Sequence, residues 1–462
     1  MDLSTKNILA ALEKVELLGP QQSLSFRGVC TDTRGDCRGA LFVALTGERF
    51  DGNAFLHAAQ KAGALGAIIG PASAGSPLPD SLQCFRVPDT LKALQSLAAC
   101  KRNLNRGCRA VALTGSNGKS TTKEMVASIL GRKFRVHATT GNFNNHIGVP
   151  LTVLGMSDKT EILVAEIGAN HPGEVRTLAR LVKPEISVIT NVAPAHLEGF
   201  GSLEGVCNAK LELFEETLEA GCCIYHGDNP LLRAKAQKAF PRRTLSFGLG
   251  ADNDLVATQI VLDNKARASF SIGGKTRLHL GIPGRHNVLN SLAAIAVGKA
   301  LGLAERDIIA GLEASRPLKM RMELRTIGRL LVLNDAYNAN PLSMREALTT
   351  LETIEHKGPR AAVIGEMLEL GPEAEKLHTD LARFLAERRL ALVVLVGRFA
   401  QKMKEAYISA GGNEQGVFPC QDAASAWKIL KEKLSGEELL LVKGSRGIHL
   451  ELIVEELEKA GA

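Results

Sequence analysis

Apolar residues in this chain follow two rhythms. Short continuous runs, each closed by a polar residue or a glycine, alternate with longer stretches whose apolar positions recur every third or fourth residue. The first rhythm reads as parallel strands buried on both faces, the second as amphipathic helices laid over them. Near the N-terminus, Leu41-Phe42-Val43-Ala44-Leu45 and Ala67-Ile68-Ile69 predict two strands, with helical sequence from Ala54 to Ala62 between them. The Pro, Gly and Ser residues from Gly70 to Asp80 predict a surface loop. A larger set of runs starts after Arg109: Ala110 to Leu113, Ile162 to Ala165 and Ile186 to Ile189. A third set follows Ser315-Arg316-Pro317, with runs at Leu330 to Leu333, Ala361 to Ile364, Leu392 to Val396 and Leu439 to Val442.

The expected fold class is therefore α/β, in three domains: a small N-terminal α/β module (1–105), a central parallel-sheet domain (106–315) and a C-terminal Rossmann-like, doubly wound domain (316–462). A length of 462 residues agrees, at about 150 residues per domain. The polar residues closing the strands lie at carboxyl ends, where open α/β sheets bind ligands. No G-x-G-x-x-G follows a strand of the third set, so no dinucleotide site is expected there.

Composition removes several function classes. With 45% hydrophobic and 23% charged residues the chain is expected to fold rather than stay disordered. Its net charge of +7 carries no block of like charges, and only 4% of residues are aromatic, so nucleic-acid binding is not expected. No apolar run approaches the ~18 residues that span a bilayer, and Met1-Asp2-Leu3-Ser4-Thr5-Lys6 lacks a signal-peptide core, so a cytoplasmic protein without membrane insertion is expected. Nine cysteines, none in a C-x-x-C pair, read as reduced packing residues rather than a disulfide framework or zinc knuckle.

The sharpest chemical signal is Leu113-Thr114-Gly115-Ser116-Asn117-Gly118-Lys119-Ser120-Thr121, after a buried strand and before an amphipathic helix ended by Gly131. Glycines let backbone N–H groups close round a phosphate and the helix N-terminus adds positive potential. Lys119 would reach the outer phosphates and Ser120 a magnesium ion, which makes the central unit a phosphate-loop (P-loop) ATPase-type domain. The segment between the glycines is two residues shorter than in G-x-x-x-x-G-K-[ST]. Glu166 and His196 close or follow neighbouring strands, so both should project from the same sheet edge. Singly, each has an ordinary structural reading; together they could ligate a second divalent ion.

Lys210 falls in the apolar stripe of the helical stretch Ser202 to Glu216, spaced with Leu203, Val206 and Leu213. It reads either as a lysine snorkelling past its neighbours or as one that is paired or chemically altered. Asn142, Asn144 and Asn145 offer polar handles in one Gly-bounded loop, an ordinary turn composition that also suits a sugar or peptide. Asn287 and Asn290 share one helix face, to read a nucleobase or to cap the helix. In the third domain, Asn334 to Pro341 and Lys443-Gly444-Ser445-Arg446 follow strands and suggest a crevice facing the central domain.

The phosphate loop, Gly141-Asn142-Phe143-Asn144-Asn145, Glu166-Ile167-Gly168-Ala169-Asn170, Asn191 to Gly199, Asp335 to Pro341 and Gly365-Glu366-Met367-Leu368-Glu369-Leu370-Gly371, in that order, resemble the bacterial Mur ligases. Thr31-Asp32-Thr33-Arg34 and Gly47-Glu48-Arg49-Phe50-Asp51-Gly52 are similar to that family's uridine-nucleotide-binding module. The resemblance is strongest to the members that use UDP-N-acetylmuramoyl-tripeptide and D-alanyl-D-alanine. It implies ATP-dependent amide-bond formation through an acyl phosphate, in peptidoglycan synthesis, with ATP and two Mg2+ ions. It further implies that Thr114 to Thr121, Asn287, Asn290, Arg321 and Asp335 bind ATP, and that Ser120, Glu166, His196 and Lys210 hold metal, Lys210 as a carbamate. Lys119, Lys210 and His196 become the catalytic set; Thr33, Arg34, Asn142, Asn144, Asn145, Tyr337, Asn338 and Asn340 become substrate contacts. A monomer that closes on its ligands is expected. Another amide ligase of the superfamily, such as a folylpolyglutamate synthetase, or a nucleotide-switched regulator are the competing expectations.

Overall fold

A computed structural model of the chain describes residues 3–47, 50–71, 77–240, 243–274 and 276–461. Glu48 and Arg49 of the N-terminal motif and residues 72–76 of the expected surface loop lie outside the described residues.

The N-terminal module is a five-stranded sheet in the order Glu16–Leu18, Gln83–Arg86, Gly66–Ile69, Leu41–Val43, Val29–Cys30. Only the first pairing is antiparallel. The helical sequence expected from Ala54 is a 3-10 turn, Gly52–Phe55, running into the helix Leu56–Lys61. The helix Thr90–Leu104 starts at Asp89, whose carboxylate accepts from the N–H groups of Leu91 and Lys92. Its Leu94 and Leu97 belong to one apolar cluster with Ile68 and Phe85 of this sheet and with Val149, Val153 and Leu178 of the next unit. The first module therefore does not close a core of its own on this side; it shares one with the central domain.

The central sheet has nine strands, in the order Val136–Ala138, Ile162–Glu166, Arg109–Thr114, Ile186–Ile189, Cys222–His226, Arg243–Gly248, Leu255–Leu262, Arg267–Ile272, Thr276–Pro283. The pairings are parallel as far as Leu255–Leu262 and antiparallel beyond it. The all-parallel expectation is thus corrected by a meander of three strands. Those strands alternate buried and accessible positions, so they form no continuous apolar run for a sequence reading to catch.

The C-terminal sheet runs Glu323–Ile327, Leu330–Asp335, Leu439–Lys443, Arg360–Gly365, Leu392–Val396, Val417–Cys420, with an antiparallel first pair and parallel pairs after it. The four expected strands are its interior; the two unexpected ones are its edges, which pack less and therefore carry a weaker apolar signal. Separate apolar clusters cover its two faces. Among the described residues no helix is long and apolar enough to cross a membrane, and all nine cysteines are free.

Candidate functional site

The phosphate loop joins the strand Arg109–Thr114 to the helix Lys119–Leu130, and its backbone needs glycine twice. Gly115 has φ +151°, and a Cβ there would lie 1.9 Å from Thr190 Oγ1; Gly118 has φ +79°, and its Cβ would lie 2.2 Å from Asn290 Oδ1. The loop is thereby pressed against side chains of a neighbouring strand end and of the helix Asn287–Ala300. Hydrogen bonds fix it there: Asn117 N–H donates to Asn191 Oδ1 (2.8 Å), Ser116 Oγ to the Ala193 carbonyl (2.8 Å) and Thr190 Oγ1 to the Asn117 carbonyl (2.6 Å). No side chain caps the helix, which leaves its first N–H groups to an anion. Lys119 Nζ donates across the loop to the Gly115 carbonyl at 2.7 Å. Burial pulls the Lys119 ammonium below the usual lysine value; Glu166 opposes that and Arg321 adds to it.

The loop forms one wall of a cavity of about 1210 Å3 between the central and C-terminal sheets. Glu166 reaches it from the end of its strand, almost wholly buried. Its Oε1 accepts from Asn144 Nδ2 at 2.8 Å, while its Oε2 has no hydrogen-bond partner. Lys210 is buried in the helix Leu203–Glu215 and also lines the cavity, 5.8 Å from the Phe200 ring centre. Burial, helped by the Lys119 charge, pulls its ammonium down to about 7. The simple snorkelling reading of Lys210 does not hold, because the side chain is buried rather than extended to bulk water. His196, in the left-handed region at φ +52°, contacts the Glu369 carboxylate through Nδ1. That contact holds the Glu369 carboxyl below its usual range.

From the opposite side come Arg321, whose guanidinium lies 3.9 Å from the Tyr337 ring centre, and Asp335. Asp335 accepts from Met322 N–H at 3.0 Å and from the buried Lys443 ammonium, which also donates to the Asn338 carbonyl at 3.0 Å. Asn287 and Asn290 are not helix caps: Asn287 Nδ2 donates to the Pro283 carbonyl (2.7 Å) and Asn290 Nδ2 to Asn287 Oδ1 (2.8 Å).

The structure gathers Ser116 to Thr121, Asn144, Asn145, Glu166, His196, Lys210, Asn287, Asn290, Arg321, Asp335, Tyr337 and Asn338 on this cavity. Thr114, Gly115, Asn142 and Asn340 do not line it; Asn340 instead caps the helix Pro341–Thr353 and bonds to Asn117. Thr33 and Arg34 are not on it either, and Arg34 is exposed and paired with its own Asp32 at 2.7 Å. Sequence reading passed over His226, Asp228 and Asn229 on the cavity wall, although they close the strand Cys222–His226 by the same rule that found Glu166. It also passed over His286 and Glu346, 3.6 Å apart across the two sheets' helices, which no local pattern pairs. Among the described residues no three His, Cys, Asp or Glu side chains converge as a metal site.

A phosphate loop facing a second doubly wound sheet across a shared cavity defines a multidomain nucleotide-dependent enzyme. Residues 113–298 match the Mur ligase middle domain and residues 320–446 the Mur ligase glutamate ligase domain. The chain belongs to the Mur ligase family. It is 40% identical to the UDP-N-acetylmuramoyl-tripeptide–D-alanyl-D-alanine ligase of Bacillus subtilis (strain 168), over 98% of each chain. Among solved structures it is similar to MurF from Acinetobacter baumannii (TM-score 0.88, 33% identity, 99% of each chain). It is also similar to the MurF ligase of Thermotoga maritima in complex with ADP (TM-score 0.79, 28% identity, 94% of this chain and 98% of that one).

Proposed function

We propose that this chain joins D-alanyl-D-alanine to UDP-N-acetylmuramoyl-tripeptide at the expense of ATP, giving UDP-N-acetylmuramoyl-pentapeptide, ADP and phosphate, a step of peptidoglycan synthesis. The observation that carries this reading is the full-length similarity to a ligase of that name, together with one cavity that gathers a phosphate loop, an unpartnered carboxylate oxygen and a neutralisable lysine.

A carboxylate is a poor electrophile because its charge is delocalised and repels an incoming amine. Phosphorylation of the tripeptide's terminal carboxylate removes that charge; the amine of the dipeptide then attacks the acyl carbon and phosphate leaves. In this reading Lys119 and the backbone of Ser116 to Gly118 hold the transferred phosphate. Arg321, facing them from the other sheet, offsets the charge that builds on it. Asn144 and Asn145 orient the muramoyl peptide, Tyr337 and Asn338 the incoming dipeptide, and Arg34, out on the N-terminal module, the nucleotide end. The domains divide at 105/106 and 315/316, and closure of the third onto the second excludes water from the acyl phosphate.

Magnesium suits the donor set, since Glu166 Oε2 is buried without a hydrogen-bond partner and the buried Ser120 lines the same cavity. Ser120, Glu166, His196 and Lys210 would hold two ions, which when bound supply positive charge between the phosphates and the carboxylate. An amine pulled down to about 7 is about half uncharged near neutrality, and the uncharged form is the one that adds carbon dioxide and loses a proton to give a carbamate. A carbamate would turn Lys210 from a buried cation into an anionic oxygen donor. One chain supplies every residue named, so a monomer suffices, working in the cytoplasm where ATP and a UDP-linked precursor meet.

Phosphate release measured with UDP-muramoyl-tripeptide and a panel of amines tests the assignment. D-alanyl-D-alanine is expected to be the acceptor; release with D-alanine or glutamate, and none with the dipeptide, would overturn it and leave only the family.

A further inference from the structure

We infer that Glu369 is a positioning residue for His196, lent across the cleft by the C-terminal sheet, and that it holds the imidazole with Nε2 free only while the two sheets are apposed. The inference rests on the reading that His196 holds metal. A carboxylate can only accept, so its contact with His196 Nδ1 places a ring hydrogen there, and in the neutral imidazole the lone pair is then on Nε2, on a residue that lines the cavity.

Both partners occupy disfavoured backbone conformations, His196 at φ +52° and Glu369 at φ +62°. Non-glycine residues stay in the left-handed region where their surroundings over-determine it, and such positions cluster at functional sites. The surroundings of Glu369 do so. Two residues before it, Met367 N–H donates to His378 Nε2 (2.9 Å), and Leu368 N–H donates to Ser445 Oγ (3.0 Å). The backbone leading to Glu369 is thus anchored within the C-terminal domain, while Glu198 N–H, two residues after His196, donates to the Glu369 carbonyl at 3.3 Å. Backbone and side chain together tie the two segments across the cleft.

Histidines that ligate metals are commonly oriented by a carboxylate on their other nitrogen, which sets the tautomer and raises the basicity of the ligating one. In this chain that carboxylate belongs to a different domain from the histidine. An open enzyme therefore carries His196 with an unselected tautomer, and closure completes the metal-holding side chain in the same movement that brings Arg321 and Asp335 to the phosphate loop.

Histidine-15N spectra of the full-length, metal-free chain, closed on ADP and UDP-muramoyl-tripeptide, test the tautomer, with His196 assigned from His196→Ala. Wild type is expected to show His196 with hydrogen on Nδ1; Glu369→Ala loses that preference, and Glu369→Gln, whose amide oxygen still accepts, keeps part of it. Mn2+ titration in the presence of ADP then reads the consequence: Glu369→Ala binds about 10- to 100-fold more weakly, Glu369→Gln falls between, and His196→Ala is at least as weak as Glu369→Ala. If His196→Ala binds Mn2+ like wild type, the metal reading fails and takes the inference with it. If His196→Ala is weak while Glu369→Ala binds like wild type, or if the tautomer is the same in Glu369→Ala, the inference alone is overturned.

Discussion

The carboxamides of Asn117 and Asn340 are reciprocally hydrogen bonded: Asn340 Nδ2 donates to Asn117 Oδ1 at 2.6 Å, and Asn117 Nδ2 donates to Asn340 Oδ1 at 3.3 Å. One residue is the tip of the phosphate loop and the other the N-cap of the helix Pro341–Thr353, so the pair fastens the C-terminal domain to the nucleotide site. Asn340 Oδ1 also accepts from Ser343 N–H at 2.9 Å and carries the helix cap.

These two jobs can be separated. Serine still caps a helix but is too short to reach Asn117, so Asn340→Ser is expected to leave the unfolding midpoint near that of wild type, while X-ray scattering of the nucleotide-bound protein shows a larger radius of gyration. Asn340→Ala loses both and falls a further ~1 kcal/mol in stability. A serine variant as compact as wild type would show that the amide pair does not hold the domains together.

Gly118 carries a second prediction. Alanine at φ +79° is strained by about 1 kcal/mol, and its Cβ would meet Asn290 Oδ1 at 2.2 Å. Gly118→Ala is expected to weaken ADP binding at least about tenfold, the equivalent of ~1.4 kcal/mol. In the Asn290→Ala background, where the collision is gone and the lost nucleotide contact is common to both proteins, Gly118→Ala is expected to weaken binding less, because only the backbone strain remains. Titration with a fluorescent ADP analogue separates the two contributions; wild-type affinity in Gly118→Ala would remove the close-approach argument.

His378 sets an acid limit on the loop that carries Glu369. Burial, the largest cause, pulls its pKa below 6.5; Arg398 adds to this, while the Ala374 carbonyl and Glu366 oppose it. Its Nε2 accepts from Met367 N–H, so the native state needs the neutral ring. Below 6.5 the unfolded chain binds a proton that the folded one resists, so the stabilisation is fully present above that pH and is lost as the pH falls through the folded value. Amide exchange at Met367 is expected to accelerate, beyond the intrinsic pH trend, between pH 7.5 and pH 5, roughly the span of histidine titration. In His378→Gln that extra acceleration disappears. A wild-type exchange profile that follows only the intrinsic trend would count against it.

Short-range patterns were enough for much of this molecule. The strand Arg109–Thr114, the two-glycine loop and the helix Lys119–Leu130 are adjacent in the chain, so hydrophobic periodicity and glycine placement specify them locally. The same holds for Glu166 at its strand end and for the interior strands of the C-terminal sheet, whose two buried faces force continuous apolar runs. Even the position of Lys210 on an apolar stripe could be read from spacing, although whether it snorkels or faces a cavity could not.

Tertiary structure decided which of these groups meet. The central meander was hidden because half-buried strands alternate in polarity, and the shared core under Thr90–Leu104 was hidden because its partners are distant in sequence. Asn340, read as a substrate contact, became a cap and a clasp once the packing placed it against Asn117. The His196–Glu369 contact spans 173 positions of chain and joins two domains. Local sequence dictates an element's type because backbone preference and side-chain period act within a few residues, whereas a site assembled between domains depends on the packing of whole sheets, which no short window contains.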